Sequence, residues 1–159
     1  MKITIIAVGK IKEKFYQDAI QEYAKRLSKY CKFEIIEVAD EKTPDKCSET
    51  EQQQILVKEA ERILKHVKQD MQVYALAIKG KKMDSVGFAQ TIEKTGLQGI
   101  SSIAFVIGGS LGLHESVLKR SDKQISFSDM TFPHQLMRVI LTEQIYRAYR
   151  IICGEPYHK

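Results

Sequence analysis

The stretch Ser101-Ser-Ile-Ala-Phe-Val-Ile-Gly-Gly-Ser-Leu-Gly-Leu113 decides how the chain is read. Ile103 to Ile107 is a short apolar run rich in β-branched and aromatic side chains, the composition of a strand covered on both faces. Gly108 and Gly109 stop the run, and Gly112 follows. Glycine has no Cβ, so a glycine-rich turn admits positive φ and lets a ligand approach the backbone closely. In an open α/β sheet, ligands gather outside the carboxyl ends of the strands. The same residues equally describe a tight strand-to-helix turn with no ligand. The turn lacks both Gly-x-Gly-x-x-Gly and a closing Gly-Lys-Ser/Thr, so it is neither a dinucleotide fingerprint nor a Walker loop.

Working outward, Ile3–Val8, Phe33–Val38, Met71–Ile78 and Gln124–Phe127 read as four further strands. Between them lie helical patterns. Tyr16, Ile20, Tyr23 and Leu27 recur at three- and four-residue steps within about Lys12–Tyr30. Ser48-Glu49-Thr50-Glu51 is a capping box that opens a helix to about Val67, with Ile55, Leu56, Ala60, Ile63 and Leu64 inward and Glu51 reaching back to the first amide. Asp84 or Ser85 caps a helix to about Lys94, a short helix covers Glu115–Lys119, and Pro133 opens a long one to about Ile152. Lys79-Gly80-Lys81-Lys82 reads as a turn past the third strand, either solvated or lying on RNA phosphates. Five strands alternating with helices predict an α/β fold: a mostly parallel sheet with helices on both faces, in one domain over 1–159.

Composition bounds the function. At 43% hydrophobic and 28% charged, a 159-residue chain can bury a real core in water. Lys and Arg outnumber Asp and Glu by 25 to 20, a weak pointer to a polyanion such as RNA. Cys31, Cys47 and Cys153 form no framework and fit free thiols in a reducing cytoplasm. The four histidines lack metal-ligand spacing, so no metal is expected. The apolar run at the N-terminus is too short for a signal peptide, and no segment is long enough to cross a membrane.

The last helix carries apolar residues on more than one side. Met137, Ile140, Leu141, Ile145, Ala148, Ile151 and Ile152 form one arc, while Leu136, Val139 and Tyr146 lie outside it. Such a helix needs more than one neighbour, and the expectation is its own sheet and a second subunit, the alternative being that the chain's other helices cover both sides.

Three segments converge on one family. They are Phe105-Val-Ile-Gly-Gly-Ser-Leu-Gly-Leu113, Ser126-Phe-Ser-Asp-Met-Thr-Phe-Pro-His-Gln-Leu-Met-Arg138, and Glu143-Gln-Ile-Tyr-Arg-Ala-Tyr-Arg150 with Pro156-Tyr-His-Lys159. In this order they resemble the RlmH family of SPOUT methyltransferases, which methylate N3 of a pseudouridine in large-subunit (23S) ribosomal RNA. The resemblance implies a deep trefoil knot in the C-terminal half, a homodimer, and S-adenosyl-L-methionine bound in loops of the knot. The implied cofactor contacts are Leu76, Gly108 and the loop Phe127, Ser128, Asp129, Met130, Thr131 and Phe132. Ala77 and Lys79 depart from residues common in relatives, beside the cofactor cradle rather than in it.

Methyl transfer from a sulfonium needs an aligned acceptor that loses its proton. A Tyr-His-Lys tail offers a hydrogen-bonding ring, an imidazole and a cation. With the resemblance, Tyr157 and His158 are expected to order or deprotonate the target base, and Arg147 and Lys159 to hold RNA. Arg147 also suits an i,i+4 pair with Glu143, or a contact that completes a partner's site. His134 is a candidate RNA contact, against simple packing near the cap, and Arg138 either faces the active site and the RNA or is a solvated arginine. The small size favours the assembled ribosome as substrate. The alternatives are the same chemistry on another RNA such as tRNA, and a non-catalytic ribosome-binding factor.

Overall fold

The computed structural model describes residues 1–159. Strands β1 (Lys2–Val8), β2 (Lys32–Val38), β3 (Gln72–Lys82), β4 (Ser102–Ile107) and β5 (Lys123–Ser126) alternate with helices α1 (Lys14–Leu27), α2 (Glu49–Leu64), α3 (Ser85–Leu97), α4 (Glu115–Arg120) and α5 (His134–Ile152). The strands lie in the order β2-β1-β4-β3-β5, and every neighbouring pair is parallel. The α/β sheet covered on both faces is therefore what the chain builds.

The two central strands explain the uniform apolar runs. Ile3, Ile5 and Ala7 of β1 and Ile103, Phe105 and Ile107 of β4 face one core, with Leu27 of α1, Phe88 and Ile92 of α3, and Leu141 and Ile145 of α5. Ile6 and Val8, with Ala104 and Val106, face the other core, with Ala60 and Ile63 of α2 and Val117 of α4. All residues of Ile3–Val8 and Ile103–Ile107 are buried, and all are apolar except Thr4, whose hydroxyl donates to Glu34 at 3.0 Å.

Several expectations are corrected. α5 packs against both α1 and α3. Tyr146 meets Tyr23 of α1 at 6.2 Å between ring centres, and Ser85 of α3 donates to Gln144 at 2.8 Å. The chain's own helices thus occupy both flanks of α5, so its two-sided pattern does not by itself require a second subunit. Lys79–Lys82 is not a turn past β3 but the strand's continuation. Leu76 and Lys81 both pair with Ile125, so the residues between them bulge out of the ladder. Gly80 sits where a Cβ would come 2.6 Å from the Ile125 backbone, which only a residue without one tolerates.

In the glycine turn, only Gly112 has positive φ, at +84°. A Cβ on Gly108 would collide with the Gly112 carbonyl, so the close approach there is made by the turn itself. At α2 the Ser48 hydroxyl accepts from the Glu51 amide at 3.2 Å as expected. Glu51 returns to that hydroxyl at 3.1 Å rather than to the first backbone amide.

Candidate active site

The chain after α5 is held down by one carboxylate. Tyr30 donates to Glu155 Oε2 at 2.6 Å, Arg150 pairs with the same oxygen, and Lys29 lies 3.6 Å from it. Arg150 also donates to the Pro156 carbonyl at 3.0 Å. The Tyr30 hydrogen bond, then the Arg150 and Lys29 charges, hold the Glu155 carboxyl below its ordinary pKa. This clamp turns Tyr157 back onto α5, where its ring meets Tyr146 edge-on at 5.0 Å.

Two predicted residues, Arg147 and Tyr157, converge there on a third, Glu143, and a further predicted residue, His158, joins through Arg147. Glu143 Oε1 accepts from the Tyr157 hydroxyl at 2.9 Å and from Arg147 at 2.7 and 3.1 Å. The Arg147 guanidinium lies 4.7 Å from the Tyr157 ring centre, and its Nη1 is 3.2 Å from His158 Nδ1. Partial burial and the neighbouring Glu143 push the Tyr157 hydroxyl up to about 12. The Tyr157 hydroxyl thus keeps its proton and donates it to Glu143 in a hydrogen bond. An arginine can only donate, so Nδ1 of His158 accepts, and a neutral imidazole in this position carries its proton on Nε2. The i,i+4 pair of Glu143 and Arg147 is legible in the sequence. The role of Glu143 as the hub for the tail is not, because it depends on where Tyr157 returns.

His158 lines a cleft of about 400 Å³ together with Phe127 and Phe132 of the loop after β5. Met83, Phe88 and Ile140 supply apolar wall, and Gln144 a polar group. Phe127 packs edge-on against Phe88 at 6.0 Å. Ser128 shapes the loop: its hydroxyl accepts from the Met130 amide at 3.0 Å, and its carbonyl accepts from Ser126 at 3.1 Å. Asp129 pairs with Lys82, while Met130 and Thr131 are exposed. Leu76 stands half-buried where β3 begins its bulge beside β5, and Gly108 stands at the end of β4. Neither lines the cleft of Phe127 and Phe132. Lys159 is exposed at the end of the tail.

His134 and Arg138 lie elsewhere. At about 1.5 Å per residue, His134 is about 20 Å from Arg147 along α5. Both His134 and Arg138 line a larger cleft of about 900 Å³ at the carboxyl ends of β1, β2 and β4. Arg138 is a correction: it is neither a solvated arginine nor a surface RNA contact, being 1% exposed. It donates to Glu37 Oε2 and to the Val8 carbonyl, both at 2.8 Å, and its Nε has no partner. Burial lowers its pKa, with Glu37 opposing that effect. His134 is exposed at the cleft mouth, and partial burial and the Arg138 charge both lower its pKa. Opposite Arg138 lies Glu59, 4% exposed, which the sequence reading passed over. The signal was present: Glu59 sits midway between Ile55 and Ile63 on the inward stripe of α2.

No group of three or more His, Cys, Asp or Glu side chains is placed to hold a metal ion. No helix is long and apolar enough to cross a membrane.

Comparison with known proteins fits this geometry. The family model described as "Predicted SPOUT methyltransferase" matches residues 1–158. The ribosomal RNA large subunit methyltransferase H of Clostridium botulinum (strain Kyoto / Type A2) is 63% identical over 159 residues, and that of Bifidobacterium adolescentis 61%, each covering all of both chains. Among solved structures, a probable methylase family protein from Haemophilus influenzae Rd KW20 shares the fold at a TM-score of 0.50 and 13% identity. That match covers 99% of this chain and 70% of the other. A full-length family match, relatives above 60% identity and a shared α/β fold agree: the chain belongs to the SPOUT methyltransferases, in the family of ribosomal RNA large subunit methyltransferase H.

Proposed function

We propose that the protein methylates N3 of a pseudouridine in the 23S rRNA of assembled ribosomes, in the cytoplasm, using S-adenosyl-L-methionine. The proposal includes a single SPOUT domain with a deep trefoil knot in its C-terminal half, acting as a homodimer. The names of the full-length relatives support the large-subunit rRNA. The observation that carries the reading is the tail cluster. Arg147 holds His158 with its Nε2 hydrogen outward, beside the cleft walled by Phe127 and Phe132.

The residues fit the cofactor. The cleft walls are largely aromatic and aliphatic, as an adenosyl group requires. Apart from the Ser128 carbonyl and the Met130 amide, which side chains of Ser126 and Ser128 engage, the backbone groups of the loop 127–132 make no hydrogen bond within the chain and can meet a ligand. Leu76, within β3 where its bulge begins, and Gly108, just past β4, stand outside the cleft lining and would complete the cradle around a bound cofactor. The cofactor supplies a methyl group already activated on a sulfonium.

The chain's own residues align the acceptor. His158 Nε2–H donates to a ring carbonyl of the target base and stabilises the charge that develops as N3 loses its proton to solvent. Tyr157 stays protonated and, through Glu143, fixes Arg147 behind the imidazole. Arg147 and Lys159 hold the RNA backbone. Homodimerisation brings a second tail to the larger cleft, which lies about 20 Å along α5 from the chain's own tail. The base leaves its stack to reach the site, which costs least in a loop.

The test is transfer of labelled methyl to assembled ribosomes, separated large subunits, free rRNA and tRNA, all from cells lacking this activity. The expected label maps to N3 of a pseudouridine in assembled ribosomes. Label in tRNA overturns the substrate. Cofactor and ribosome binding with no transfer establishes a non-catalytic factor instead.

A further inference from the structure

We infer that the larger cleft, over the end of β1, is the acceptor pocket, and that the Glu59 carboxylate there reads the N1–H that pseudouridine carries and uridine lacks. This rests on the pseudouridine substrate proposed above.

Two buried charged side chains reach this cleft from opposite faces of the sheet. Arg138 comes from α5 and donates to the Val8 carbonyl. Glu59 comes from α2 and lies against the glycine turn, where a Cβ on Gly109 would meet its Oε1 and the Val8 side chain, each at 3.2 Å. Glu59 Oε2 accepts from the Glu41 amide at 3.0 Å. Oε1 receives no hydrogen bond from the protein and borders the cleft. The nearby cation offers little relief, because Arg62 is committed to Glu41 at 2.5 Å and to the Ala39 carbonyl at 2.8 Å. Oε1 is not fully enclosed, so a ligand N–H can reach it from the cleft and make a charge-assisted hydrogen bond. Burial, aided by Asp40, already raises the Glu59 pKa. A bound N–H donor opposes that shift.

The surroundings suit a nucleotide. Gly109 and Ser110 follow Gly108 directly, and Pro133 and His134 follow Phe132, so the cleft borders the segments proposed to hold the cofactor. The aromatic pair Phe15 and Tyr16, with ring centres 4.4 Å apart, stands at the wall, and Phe15 is 64% exposed. Exposed Lys10 and Lys12 lie at the rim for backbone phosphates. In pseudouridine, N1–H and N3–H flank the same C2 carbonyl. An acceptor at N1–H therefore orients the ring and leaves N3 free for the methyl. Uridine presents C–H at the corresponding position and loses that bond.

The experiment is single-turnover methylation of two ribosome preparations, one carrying the target pseudouridine and one from cells unable to form it. The wild-type protein is expected to favour pseudouridine by about 10²-fold, the effect of losing one hydrogen bond to a charged group. Glu59→Met should bring the ratio to within about 5-fold, mostly by slowing the pseudouridine reaction. Glu59→Gln, which keeps an acceptor oxygen, should retain more of it. Both substrates meet the same preparation, so the ratio does not depend on the folded fraction. An unchanged ratio in Glu59→Met, or equal losses on both substrates, overturns the role of Glu59. Equal wild-type rates on both preparations overturn the discrimination while leaving the methyltransferase reading intact. No transfer to either removes the reading itself, and this inference with it.

Discussion

The two ends of α5 are built on opposite plans. At its first turns Arg138 is enclosed, and its partners Glu37 and Val8 come from strands 101 and 130 residues away in sequence. Near its last turns Glu143 and Arg147 are one helical turn apart, half-buried, and gather a tail that follows within 14 residues. The first arrangement ties the fold together and cannot be altered without cost to the core. The second is local and can change its chemistry while the sheet stands. Substitutions at the tail end should therefore spare stability, whereas those at the enclosed end, which also borders the proposed acceptor pocket, should cost it.

The largest effect is expected at the enclosed end. Arg138→Ala should destabilise the protein by about 3 kcal/mol, because it leaves a cavity and strands the Val8 carbonyl. Urea unfolding checks this, and a loss below about 0.5 kcal/mol would break the contrast. At the tail, His158→Ala should slow methyl transfer by about 10²-fold or more. Its thermal midpoint should stay within about 2 °C of wild type, because little core is touched. Tyr157→Phe keeps the ring against Tyr146 and loses only the hydrogen bond to Glu143. Its rate should fall by less than about 5-fold, as for one positioning bond. A loss as deep as that of His158→Ala would make Tyr157 the base and refute its role as a donor.

The smallest effect is a pH dependence at Glu59. Its pKa is raised in the folded protein, so the folded state binds that proton more tightly than the unfolded chain. The group therefore adds stability as pH falls through its raised value and withdraws it as pH rises above. Glu34 and Glu155 have lowered values and behave oppositely, losing their contribution as pH falls through those values. Glu59→Gln should accordingly gain on wild type at pH 8, and that gain should shrink as the pH falls toward 5. Urea midpoints that shift in parallel at both pH values would show that Glu59 does not titrate in this way.

Much of the frame was legible because it is local. The buried runs Ile3–Val8 and Ile103–Ile107, the Ser48 and Asp84 caps and Pro133 before α5 each carry their signal within a few residues. What escaped depends on distant partners. Lys79–Lys82 looks like a turn until β5 pairs with it and Gly80 admits the β5 backbone. Arg138 looks solvated by residue type, and only the ends of β1 and β2 make it a core residue. At the site, the convergence of Tyr157 and His158 on Arg147 had no pattern of its own. Those residues came from the family resemblance, whereas the clamp at Glu155 that places them is visible only in three dimensions.

The strand order has a consequence for synthesis. β1 leaves the ribosome first, yet it lies between β2 and β4, and Lys2 pairs with both Lys32 and Ser102. At about 5–20 residues per second, one edge of the earliest strand waits on the order of 5–20 s for its neighbour. During that interval the nascent chain presents an apolar, unpaired β edge, the kind of surface that nucleates aggregation. Slowing translation between Val38 and Ser102 should therefore lower the soluble yield more than the same delay placed after Ile107.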